Sequence, residues 1–166
     1  MGFWLAILIT LAVMGSVLWV MPSKREKSLT AMRSRALSLG MKVRLLDEKL
    51  ASNLFYWIDN YRPYALYECM MPRDLKPSSH KARVVRLSVD ENAHELDGID
   101  ELKAALDKRG VFEGLPEDCE ALVISQGGIA FVWREHQRSL DSLEEVDRIK
   151  ACLERCIDNA DLWANL

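Results

Sequence analysis

The chain of 166 residues is poor in the groupings that usually carry chemistry. Histidine is scarce: His80, His94 and His136 stand apart and form no H-E-x-x-H zinc motif. There is no G-x-S-x-G elbow for a serine nucleophile, and no G-x-G-x-x-G or P-loop glycine run to cradle phosphate. Recognisable hydrolase, zinc-protease and nucleotide-binding sites are thereby excluded, although a fold could still assemble a catalytic pair from distant positions. C-x-x-C is also missing. The four cysteines, Cys69, Cys119, Cys152 and Cys156, fit a reducing compartment and read as small buried residues rather than metal ligands. Internal repeats and low-complexity segments are lacking, and no metal or cofactor is expected.

Charge is the next absence. From Gly2 to Met21 no residue is ionisable in its side chain. Twenty residues at the helical rise cover about 30 Å, the thickness of a bilayer's hydrocarbon. Trp4 and Trp19 lie near the two ends, where amphipathic rings settle at headgroup level. A cleaved signal peptide would need a basic stretch before the apolar run and small residues at a cleavage site after it. Nothing basic precedes Phe3 and "LWVMPSK" offers no such site, so residues 1–21 are expected to be a transmembrane anchor. Within it Ala12 and Ser16, beside Gly15, form one small-x-x-x-small pair that would permit self-association.

The next segment is the opposite in character. Residues 22–44 carry seven basic side chains against Glu26, a net of +6, which leaves −9 for the rest of a chain whose total is −3. Positive flanks stay on the cytoplasmic side, which predicts an N-terminus outside and a domain inside a bacterial inner membrane. Ser23 and Glu26 form a capping box for a helix that Gly40 ends, defining a basic juxtamembrane segment over residues 22–40. Lys24, Arg25, Lys27, Arg33 and Arg35 are its candidate membrane-surface residues. Leu29, Met32, Ala36 and Leu37 make an apolar stripe that could lie among headgroups or pack on the chain's own domain.

One span, a basic proline-bounded flank "MPSKREKSLTAMRSR" and then "LGMKVRLL" resemble, over residues 1–46, the start of YajC, the accessory subunit of the bacterial protein-export translocon. The resemblance implies membership of an export machinery. It ends at Leu46. The whole chain also looks like single-pass inner-membrane proteins of Gram-negative bacteria.

Residues 41–166 are long enough for one domain. A strand is expected at 41–46, a turn or short helix near Asp47, two strands within 54–71 joined across Asn60–Pro63, and another strand at 82–89. A helix over 99–108, a hairpin over 121–134 joined at Gly127-Gly128 and a helix over 143–159 complete the pattern. The last helix is expected to bury Leu143, Val146, Ile149, Leu153, Cys156 and Ile157. The predicted class is α+β: an N-terminal transmembrane helix, then a largely antiparallel sheet with two main helices.

All four tyrosines crowd into residues 56–67 with Arg62. Tyr56, Tyr61, Arg62, Tyr64 and Tyr67 are thus candidate partner-binding residues, since aromatics and arginine dominate interface energetics, although sheet packing uses the same residue types. The −9 balance argues against nucleic acid, which requires a basic surface. Membrane lipid and another membrane or cytoplasmic protein are the expected partners. The expected function is an anchored protein-binding accessory, assembly or scaffold subunit, with an anchored enzyme or small-ligand sensor as the alternative.

Overall fold

A computed structural model describes residues 2–4, 7, 9–12, 23–55, 57–58, 64–77, 79, 81–87, 99–135 and 142–163. The protein is α+β, built on a five-stranded antiparallel sheet. Its labelled elements are α1 (Lys24–Ser38), β1 (Lys42–Leu45), α2 (Glu48–Leu54), β2 (Tyr64–Cys69), β3 (Arg83–Arg86), α3 (Ile99–Lys108), β4 (Cys119–Ser125), β5 (Gly128–Arg134) and α4 (Ser142–Asp158). Before them, residues 2–4, 7 and 9–12 are helical, with Phe3, Trp4, Ile9 and Leu11 exposed. Among the described residues no helix is long and apolar enough to cross a membrane. Residues 13–22, including Trp19, lie outside them.

Strand order is β1-β2-β5-β4-β3, so the hairpin of β4 and β5 occupies the middle. Both of its faces are apolar because both are covered. On one face α1, α3 and α4 bury Met32, Leu106, Phe131, Trp133, Ile149 and Trp163. Across the sheet, α2 and the residues after it cover Leu46, Phe55, Leu66 and Val132.

α1 starts and stops through local chemistry. Ser23 N–H donates to Glu26 Oε2 at 2.7 Å while Glu26 N–H donates to Ser23 Oγ at 3.2 Å, the reciprocal capping box read in the sequence. At the other end Gly40 has φ 75°, the left-handed turn in which Met41 N–H reaches Ala36 O at 3.0 Å and Gly40 N–H reaches Leu37 O. Met41 and Ala36 are both buried in one cluster, so the turn also seals the core.

Three expectations need adjustment. Leu54, Phe55, Trp57 and Ile58 are in no strand: Asp47 caps α2 through Leu50 N–H at 2.8 Å, and Phe55 N–H continues the helical pattern to Ala51 O at 2.9 Å. Only the second expected strand, β2, is present there; Asn60–Pro63 lie outside the described residues. Next, the hairpin turn is Gln126-Gly127, because Gly128 already pairs with Ser125. Gly128 is needed for space: a Cβ there would collide with the carbonyl oxygen of Cys69 on β2. Finally Leu143, in the first turn of α4, projects beyond the packed stripe and is 44% exposed, whereas Val146, Ile149, Leu153 and Cys156 are fully buried.

Candidate functional site

The basic segment divides in two along α1. Lys24, Arg25 and Lys27, at its start, are exposed. Arg33 and Arg35, two turns further on, are engaged by the domain. Arg33 holds Glu135 with both arms of its guanidinium, Nε to Oε1 at 3.0 Å and Nη2 to Oε2. Arg35 pairs with Asp147 of α4 at 2.9 and 3.2 Å. Beside these arginines the apolar stripe packs on the domain, with Met32 and Ala36 fully buried. Of the two placements open to that stripe, the structure has it packed on the domain, and Leu37 alone of its four residues points to solvent at 63% exposure.

Glu135 is the residue that sequence reasoning passed over. It follows β5 directly and is only 4% exposed. Tyr67 Oη donates to its Oε1 at 2.9 Å, so the carboxylate is held from α1 and from β2 together. Tyr67 in turn packs edge-on against Trp133 with ring centroids 5.2 Å apart. Burial first, and then the neighbouring Glu135 charge, push the Tyr67 hydroxyl far above the ordinary tyrosine pKa. Its proton is therefore fixed, and this group offers no acid or base near neutrality. The sequence signal was slight: a second charge, after Arg134, at the end of an apolar strand.

Of the five candidate partner-binding residues, Tyr64 and Tyr67 lie in β2 with their rings inside the fold. Tyr67 belongs to the face under α1. Tyr64 faces the other way: its hydroxyl donates to Glu120 at 3.2 Å, and Arg134 stacks over its ring at 5.9 Å. Tyr56, Tyr61 and Arg62 lie outside the described residues. Trp57, beside them, carries Arg86 over its ring at 5.2 Å. These aromatic and arginine contacts span β3, β5 and β2, and they fasten one end of the sheet.

The thiols show no activation. Cys69 Sγ lies 3.3 Å from Lys150 Nζ, but burial outweighs that amine and raises the thiol's pKa. Cys119 and Cys156 are buried and pushed well above the usual thiol range for the same reason. Among the described residues no group of His, Cys, Asp and Glu gathers to hold a metal ion.

A different feature is the β1 edge of the sheet. β1 is an edge strand with Lys42, Arg44 and Leu45 exposed, and Leu37 of the overlying α1 is exposed as well. Arg44 pairs with Glu68 at 3.1 Å. Exposed apolar Leu37 and Leu45 thus lie beside basic Lys42 and Arg44 at this edge of the described sheet. The chain matches no known family model, no curated protein and no solved structure.

Proposed function

We propose that this protein is a membrane-anchored, protein-binding accessory or scaffold subunit of a bacterial inner-membrane complex. In this reading residues 2–21 cross the bilayer with the N-terminus outside, and the α+β domain sits at the cytoplasmic surface. The supporting observation is the division of α1. Its first turns present Lys24, Arg25 and Lys27 to solvent directly after the uncharged run, while its later turns are clamped to the domain by Arg33 and Arg35. Each basic group near an anionic surface contributes about 1 kcal/mol. The exposed Phe3, Trp4, Ile9 and Leu11 suit lipid in the same arrangement. A domain held this way stands at the membrane in a set orientation, as a subunit that presents one face to a membrane partner must. The export machinery implied by the YajC resemblance is one such setting.

The test is affinity purification of the full-length protein from gently solubilised membranes, with a version lacking residues 1–22 as control. Stoichiometric recovery of a membrane complex by the full chain alone is expected. Recovery of the protein by itself in several detergents would defeat the accessory-subunit reading. Changing Lys24, Arg25 and Lys27 to Glu should disturb the orientation reported by protease protection, and unaltered protection would remove these residues from the topology argument.

A further inference from the structure

The register of β1 shows which of its backbone groups point away from β2. Leu46 N–H donates to Tyr64 O at 3.1 Å, continuing the pairing of Arg44 with Leu66 and Lys42 with Glu68. In an antiparallel ladder the bonded positions alternate, so Lys42, Arg44 and Leu46 direct their amides and carbonyls at β2. Val43 and Leu45 direct theirs outward, off the end of the sheet. The side chains alternate too. Val43 packs with the cluster under α1, and Leu45, on that same face, is 55% exposed. Lys42 and Arg44 occupy the other face, where Arg44 meets Glu68 and Lys42 makes no ion pair among the described residues. The opposite edge differs: α3 flanks β3, and its Lys103 Nζ bonds the Leu87 carbonyl at 3.3 Å.

We infer that the open edge of β1 accepts an extended strand from a partner protein, with apolar residues at alternate positions and carboxylates between them. The inference rests on the protein-binding reading above and gives it a surface and a ligand chemistry. Main-chain bonds from Val43 and Leu45 hold the incoming strand, its apolar side chains cover Leu45, and its acidic side chains meet Lys42 and Arg44. Charge favours this occupant over a second copy of the chain in the two registers that keep Val43 paired. If β1 paired with its own twin so that Val43 met Leu45, Arg44 would face Arg44, and the register centred on Val43 would set Lys42 against Arg44.

The experiment uses the full chain in detergent micelles and a short fluorescein-labelled peptide alternating valine with glutamate, read by fluorescence anisotropy. A matching peptide with lysine for glutamate serves as comparison. Val43→Pro removes an outward N–H and leaves the β1–β2 ladder intact, since proline is tolerated where an edge strand's N–H faces solvent. Saturable binding of the acidic peptide, weakened about tenfold or more by Val43→Pro at an unchanged melting temperature, is expected. Lys42→Glu should shift preference toward the lysine peptide, and this arm decides the matter should Val43→Pro fail to fold. Equal binding to Val43→Pro, no binding of the acidic peptide, or an unchanged preference in Lys42→Glu would each overturn the inference. So would self-association that Val43→Pro abolishes, which would assign the edge to a second copy. A membrane complex that still co-purifies with Val43→Pro would overturn this edge while leaving the accessory-subunit reading intact.

Discussion

Glu135 shows how one residue can fasten an element that precedes it by a hundred positions. A carboxylate this deeply buried is stable only if its oxygens are bonded, and Arg33 and Tyr67 supply those bonds. Tyr67→Phe should destabilise the protein by about 1–2 kcal/mol at neutral pH. The pH dependence is set by the direction of the shift. The folded state keeps the Tyr67 proton where an unfolded tyrosine, with a pKa of about 10, releases it. The associated stability is full below that pH and is lost as pH rises past it. Denaturant melts of wild type and Tyr67→Phe should show a shallower alkaline decline in the variant, and parallel declines would mean that Tyr67 does not carry it. Arg33 was legible in the sequence as a cation on a helix. Its partner was not, because no local pattern ties a residue of α1 to the residue after β5.

Among the elements, the hairpin of β4 and β5 was the clearest in the sequence, since two apolar runs flank a glycine pair and both faces must be covered. The glycines' separate duties were not legible. Gly127 belongs to the turn, whereas Gly128 lets β2 approach closely, a requirement set by a strand far away in sequence. Gly128→Ala should therefore cost about 3 kcal/mol or more, by forcing β2 and β5 apart at Cys69. Gly40→Ala meets open space and only the penalty of its positive φ, about 1–2 kcal/mol. Thermal melts of the two variants should rank in that order, and a milder effect at Gly128 would contradict the close approach. The expected strand before Asn60 failed for a related reason: Phe55 and Trp57 have strand-like composition, but Asp47 nucleates a helix that carries Phe55 into the core beneath it.

At the level of the whole molecule, the boundary drawn at Gly40, where the basic helix stops, does not divide the packing. Met32 and Ala36 lie in the same cluster as Phe131 and Ile149, and burying a side chain such as Met32 is worth about 1.5–3 kcal/mol. A chain starting at Ser23 should unfold cooperatively. One starting at Met41 lacks the cover over that cluster and should bind a hydrophobic dye and lose its sharp transition. Equal melts for the two would show that α1 is dispensable to the core. Sequence reading placed the sheet and main helices well because periodicity is local. It left α1 undecided between lipid and protein because four apolar residues on a basic helix are compatible with both.

The clamps on α1 also have a bearing on the order in which the chain can complete itself. Arg33 reaches across 102 positions to Glu135, and Arg35 across 112 to Asp147. In synthesis from the N-terminus α1 leaves the ribosome early, yet its seat exists only after β5 and α4 have been made. An element translated ahead of the whole sheet thus waits for strands and a helix made long after it, and until then Met32 and Ala36 remain uncovered in a segment that already has its cap.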